Sequence, residues 1–431
     1  MSWLAAVVVS TFLSSPQAGS THPLADHPAE GESPLEHALV AEALERNPEV
    51  LAARAMVEEA AARPAQVTAL PEPTLSVLYT NEGWAPTLGS NEFTTLGFLW
   101  SQELPGKGKR GARGDVARFD AALAEAQLAR VRLGVASAVR RAYHELIHAR
   151  ELRGLLREQE ALLAAVSESA RERYAVGQGV QTDVLRVQAE QIRLGQARAE
   201  RVAAETVQLA ELNRLLARPH GTPLTTDTHP ALRPLSASLD ELLLAAEAMS
   251  PELRAAQQAA LRDRASLALA QRLGQIDWSV QAGYQNRGGL PGMWQAGFGV
   301  RLPLWRGPVQ AGIAEADARV RSGEQRLASI RLLLRVRTEE RLARARAVEE
   351  GAELYAKGLL PQDRLAYESA LAAFQAGRGS FASMLEALST LLQDREAELR
   401  LLADHQILMA GLAEASLEAI TNMGGGSAAA R

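Results

Sequence analysis

Few residues in this chain could do chemistry, and the most specific set is His144-Glu145-Leu146-Ile147-His148. It spells H-E-x-x-H: on a helix, two histidines one turn apart can bind Zn²⁺ while the glutamate acts as general base. The surrounding pattern argues for another role. Leu128, Val135, Ala142, Ala149, Leu156, Leu163 and Ala170 recur at heptad spacing and are all apolar, the seam of a coiled coil. At ~100° per residue, His144 and His148 lie about 200° and 240° round from that seam. Both are therefore expected on the exposed back of a supercoiled helix, where no buried catalytic pocket forms. A zinc peptidase would also need a third ligand from another element. No catalytic, metal-ligating or cofactor-binding residue is assigned.

Pro105-Gly106-Lys107-Gly108-Lys109-Arg110 has the look of a phosphate loop but lacks G-x-x-x-x-G-K-[ST] spacing, so no hydroxyl is placed for magnesium. It reads as a strand-to-helix junction whose cations lie near lipid head groups. Thr182 and Asp183 stand where a returning helix begins and could cap it. The absence of cysteine excludes disulfides, thiolate metal sites, a thiol nucleophile and a lipidated cysteine.

The elements that would position such residues follow from composition and repetition. The chain is 47% hydrophobic but only 4% aromatic, which favours long Ala- and Leu-rich helices. Its net charge of -5 is spread over interspersed charges, so no basic face recommends nucleic acid. The apolar run Leu4 to Leu13, followed by Ala18-Gly19-Ser20, reads as a secretory signal peptide over residues 1–20. Beyond it no stretch has the ~18 apolar residues of a spanning helix, so any membrane span must be built of strands.

The chain is duplicated. Asn47-Pro48-Glu49 matches Ser250-Pro251-Glu252, Leu75-Ser76-Val77 matches Trp278-Ser279-Val280, and Tyr174-x-x-Gly177-x-Gly179 matches Phe374-x-x-Gly377-x-Gly379. The period of about 200 residues is far longer than a solenoid unit, so two large copies are present. Each reads as helix, two strands, very long helix, tight turn, helix. In the first copy, residues 21–217, strands fall at 74–81 and 93–104, the long helix at 112–174, the turn at 175–181 and the return helix at 182–217. Residues 218–240 are a Pro- and Thr-rich connector. The second copy, 241–415, has strands at 277–286 and 293–304, a long helix from about 311 and a turn at 375–381. Its seam (Val320, Leu327, Leu334, Val348, Tyr355) is interrupted by Arg341, and residues 416–431 form a flexible tail.

The strands alternate. Trp278, Val280, Ala282 and Tyr284 share one face, as do Trp294, Ala296, Phe298, Val300, Leu302 and Leu304, with Gln281, Gln295 and Arg301 opposite. Such segments of ~9–11 residues suit a transmembrane barrel with lipid outside and water inside. Trp100, Trp278, Tyr284, Trp294 and Phe298 are then a lipid-facing girdle. Four strands cannot close a barrel alone. Amphipathic hairpins on a soluble core would leave the same pattern, whereas the four lipid-type strands argue against a coiled-coil scaffold without a channel.

These pieces resemble the TolC-like outer-membrane efflux family over essentially the whole mature chain. The resemblance rests on Asn47-Pro48-Glu49, on Gln102-Glu103-Leu104-Pro105-Gly106-Lys107, and on Arg173-Tyr174-Ala175-Val176-Gly177 through Thr182-Asp183-Val184-Leu185. In the second copy it rests on Leu360-Pro361-Gln362, Phe374-Gln375-Ala376-Gly377-Arg378-Gly379-Ser380-Phe381 and Met384-Leu385, which look most like the heavy-metal branch. The resemblance implies a mainly α fold with a small β part: a homotrimer whose twelve strands form one barrel in outer-membrane lipid, continued by a periplasmic helical tunnel. It implies a passive exit duct with no enzyme activity and no cofactor, working with a periplasmic adaptor and an inner-membrane pump. The tip turns, with Val176, Gly177, Gly179, Ala376, Gly377 and Gly379, would meet the adaptor. Asp183 would sit at the pore constriction, one carboxylate per protomer because Ser383 is its counterpart.

Overall fold

Proline placement sets where each repeat begins. In the computed structural model, which describes residues 33–82, 84, 86–87, 93–228, 232, 234–415 and 417, two helices open each repeat. Helix α1 (Pro34–Arg46) stops at Asn47, and α2 (Pro48–Thr68) restarts at once. A proline has no N–H and pushes the residue before it out of the helical region, so Asn47 is extended and caps α2 by accepting from Glu49 N at 2.8 Å. Ser250-Pro251 does the same between α5 (Leu239–Met249) and α6 (Pro251–Leu273). The sequence reading, with one opening helix per repeat, missed α1 and α5 as separate elements. The expected signal peptide lies outside the described residues, as does nearly all of the tail.

Four strands follow the expected pairing: β1 (Thr74–Thr80), β2 (Thr95–Leu104), β3 (Asp277–Arg287) and β4 (Leu290–Arg301). They form one antiparallel sheet in the order β1-β2-β3-β4. The register sets Leu75 opposite Trp100, Val77 opposite Phe98, Phe98 opposite Tyr284, Val280 opposite Phe298 and Tyr284 opposite Trp294. Directly opposed residues share a face, so the apolar positions of all four strands fall on one side. Ser76, Ser101, Ser279, Gln281 and Gln295 fall on the other, with Leu78, Leu99 and Met293 as apolar exceptions. Strand β4 starts earlier and ends earlier than expected, which leaves Leu302 and Leu304 outside the ladder. Pro291 is tolerated there because β4 is an edge strand of this sheet.

The shafts are α3 (Lys109–Ala175), 67 residues and so about 100 Å long, and its return helix α4 (Gln181–Leu215). In the second repeat α7 (Arg306–Leu354) passes through a π-helical turn, Tyr355–Leu359, into α8 (Leu360–Gln375), and α9 (Phe381–Ala413) returns. The π turn has a local cause. Pro361 offers no N–H to the Lys357 carbonyl and its ring would crowd it; the widened turn relieves this. Ala161 stands at the matching place of α3, which runs through unbroken. The predicted seam is buried at Val135, Ala142, Ala149, Leu156, Leu163 and Ala170, with Leu128 packed at its edge. Arg341, expected as an interruption, is itself buried within the bundle.

Two cores result. One gathers α1, α3 and α4 around Val139, Leu146 and Leu212. The other mixes both repeats: Leu163, Val166 and Val187 pack with Phe374, Phe381 and Met384 near the turns. Among the described residues no helix is long and apolar enough to cross a membrane.

Candidate functional site

The two tip turns are the same backbone motif built twice. In the first, Gly177 N donates to Tyr174 O at 3.0 Å and Gln178 N to Arg173 O at 2.8 Å. In the second, Gly377 N donates to Phe374 O at 3.0 Å and Arg378 N to Ala373 O at 2.9 Å. This paired pattern closes a helix only when the residue after the C-cap is left-handed, and φ is +75° at Gly177 and +73° at Gly377. Val176 and Ala376 are the C-caps. Gly179 and Gly379 are needed for space: a Cβ would lie 3.1 Å from Tyr174 N and 3.0 Å from the Ala373 carbonyl carbon, respectively.

Arg173 joins the turns, a link the sequence did not reveal. Its guanidinium donates to the Phe374 carbonyl and lies 4.7 Å from the centroid of the Phe374 ring. Phe374 in turn meets Phe381 edge-on at 5.8 Å. The second repeat has Ala373 where the first has Arg173, so the clamp runs one way only. Asp183 is half-buried in the first turn of α4, where its charge suits the helix N-terminus. The cap role weighed for Thr182 and Asp183 is not realised: Val180 is the N-cap of α4 and no side chain caps it, whereas Ser380 caps α9 by accepting from Ser383 N at 3.1 Å.

At the other end the sheet carries its aromatics in two bands. Trp278 and Phe298 lie 5.0 Å apart near the helices. Tyr284 and Trp294 lie 4.9 Å apart near the β3–β4 hairpin, and Phe98 meets Tyr284 at 6.0 Å. Along β3, Trp278 and Tyr284 are separated by about 20 Å. Trp100, Trp294 and Phe298 are exposed, and Tyr284 is half-buried.

The Pro105 to Arg110 segment is the expected junction, but its cations are not where they were expected. Lys109 is buried, with Nζ 2.8 Å from Asp277 Oδ1 and 2.7 Å from Gln275 O, and Asp277 also accepts from Gly106 N at 2.8 Å. Arg110 Nε donates to Thr68 O at 2.7 Å. Only Lys107 is left facing solvent. The segment therefore rivets the end of β2 in one repeat to the start of β3 in the other.

The H-E-x-x-H residues also differ from expectation. His144 and His148 are buried, at 3% and 8% exposure, because α1 and α9 cover the back of α3. His144 Nε2 lies 3.5 Å from Glu36 Oε1 of α1. Glu145 accepts from both terminal nitrogens of Arg400 on α9, at 3.1 and 3.2 Å. A glutamate held by a guanidinium fork is a poor general base. Among the described residues no group of three or more His, Cys, Asp or Glu could hold a metal ion.

Comparison with known proteins agrees with this architecture. Residues 39–217 match the family described as outer membrane efflux protein. Three solved structures share the fold. CusC, described for its folding and transmembrane channel formation, is 19% identical, with a TM-score of 0.75 over 88% of this chain and 91% of its own. The outer membrane protein VceC of Vibrio cholerae is 18% identical, at 0.75 over 88% and 95%. A membrane protein from Pseudomonas aeruginosa is 17% identical, at 0.77 over 89% and 92%. No curated protein sequence matches. The first repeat thus matches the outer membrane efflux protein family, and both repeats together share the fold of these solved structures.

Proposed function

We propose that this chain is one protomer of a passive outer-membrane efflux duct, three copies of which close a twelve-stranded barrel above a periplasmic helical tunnel. The observation that carries it is the sheet. One face is largely apolar across all four strands and the other is mostly polar, and among the described residues both outer edges, β1 and β4, lack a neighbouring strand. In hydrocarbon an open edge leaves backbone groups unsatisfied, so the sheet must close on copies of itself. The ~100 Å shafts then continue the lumen away from the membrane.

In this reading the tip turns, with Val176, Gly177, Gly179, Ala376, Gly377 and Gly379, meet a periplasmic adaptor that links the duct to an inner-membrane pump. Asp183 lies near the resting constriction, and the cargo is a small solute or a metal ion. Crosslinking of the adaptor to 176–181 or 376–381 supports the docking surface; crosslinks confined to 218–240 remove it. The direct test is reconstitution: detergent-purified protein should be a trimer that gives stepwise conductance in a planar bilayer. A monomer with no conductance refutes the duct and leaves the coiled-coil scaffold. A periplasmic peptidase is disfavoured by the Arg400 fork on Glu145, and peptide hydrolysis lost in Glu145→Gln would restore it.

A further inference from the structure

Charged side chains from both repeats converge on the H-E-x-x-H segment of α3. Arg400 of α9 forks onto Glu145 of α3, and the same Nη2 lies 2.6 Å from Asp404 Oδ1 one turn further along α9. One guanidinium thus serves two carboxylates, one from each repeat. Asp404 is only 5% exposed. Burial pushes its carboxyl up to about 6, opposed by the Arg400 charge and reinforced by repulsion from Glu145.

The other groups at this crossing come from every element around it. From α9 itself, buried His405 lies 3.2 Å from Glu349 Oε1 of α7, which also accepts from Leu235 N of the connector at 2.8 Å. From α7, Arg341 is buried beside Gly411. On the α1 side, Glu36 lies 3.7 Å from Arg140 and 3.5 Å from His144, and Arg140 also pairs with buried Glu414 just after α9. Among these groups the carboxylates outnumber the guanidiniums.

We propose that Glu145, Arg400 and Asp404 form a proton-operated clasp between the two repeats, tight in acid and slackened toward neutral pH. When Asp404 is protonated, Arg400 serves Glu145 alone and no like charges face each other. When Asp404 is ionised, two carboxylates crowd one cation where water is scarce. The sign follows from the raised value. Stabilisation is complete below the unfolded carboxyl value of ~4 and is lost as pH rises through about 6. The clasp matters beyond its own site because α9 runs from the second tip turn to this crossing, so slack here frees the base of that helix.

Hydrogen–deuterium exchange on the full-length protein in detergent tests this, from pH 4.5 to 8 and corrected for intrinsic exchange. Peptides covering residues 396–410 should lose protection as pH rises, with a midpoint near 6 and a total change on the order of 10- to 100-fold. Asp404→Asn should keep acid-level protection throughout. Glu145→Gln, which removes the repelling charge, should move the midpoint lower. Protection in wild type that does not vary with pH overturns the proposal, as does a step that survives in Asp404→Asn. If Asp404→Asn does not assemble, an unchanged midpoint in Glu145→Gln overturns it equally.

Discussion

Gly177 and Gly377 are the residues at which the tip has least freedom to vary. Each holds a positive φ that a valine disfavours, so Gly177→Val or Gly377→Val should strain its turn by about 1–3 kcal/mol. That is too little to unfold helices anchored by the core around Leu163 and Phe374, so trimers should still reach the outer membrane while export is lost. An efflux-resistance assay beside a trimer blot reads both arms, and normal export in both variants removes the tip from function. With Asp183 at the proposed constriction, Asp183→Ala would remove three like charges from a narrow ring and should change resting conductance or ion selectivity; identical single-channel records would exclude a constriction there. The tip glycines were legible because the turn occurs twice and its chemistry is local. The histidines were not. Heptad arithmetic correctly placed His144 and His148 behind the α3–α4 seam, but only tertiary packing shows that α1 and α9 cover that back. His144→Ala with His148→Ala should therefore destabilise the protein, by about 1–3 kcal/mol per side chain, and the purified wild type should carry no stoichiometric zinc. Tight one-to-one zinc would reverse that assignment.

At the scale of the element, the sheet was the most legible part of the chain. Strict alternation predicted both faces, and the register places the apolar positions of the two repeats side by side. Phe298→Arg or Val280→Arg puts a cation on the apolar face, which in the proposed barrel meets lipid and would cost about 2–4 kcal/mol near the midplane. Both should impair membrane assembly, whereas Gln281→Arg on the polar side should be tolerated. Equal membrane yields for all three would mean that the faces are wrongly assigned. Strand ends were less legible, since Leu302 and Leu304 continue the alternation after the ladder has stopped. The Lys109–Asp277 rivet was invisible for another reason: its partners are far apart in sequence, and a lysine flanked by a glycine and an arginine reads as exposed. The π turn shows the same limit at the level of a helix. Pro361 announces a break, but only the packing decides whether the chain bends, stops or widens.

At the scale of the whole molecule the question is how the two bare strand edges are satisfied. Strand β1 and strand β4 are the ends of a four-stranded sheet, and neither has a second partner among the described residues. Pairing β1 of one copy with β4 of the next satisfies both edges with the same contact. Because that contact joins two different surfaces, it is head-to-tail and must either close into a ring or run on as a filament. Twist and strand tilt make a twelve-stranded ring a natural closure, and the shafts, fixed to the sheet through the Lys109–Asp277 rivet, would be carried round the same axis. The chain has no cysteine, so engineered thiols report on this contact without background. Ser76→Cys on the polar side of β1 should be combined in turn with Gln295→Cys, Gly297→Cys and Gly299→Cys on the polar side of β4. One of the three combinations should bring the thiols into opposed register and give, on mild oxidation, covalent dimers and trimers but no higher species. A ladder extending past three copies would mean that the ring does not close at twelve strands. If no combination crosslinks while every variant still forms trimers, the β1–β4 contact is wrong, and the copies associate through their helices alone.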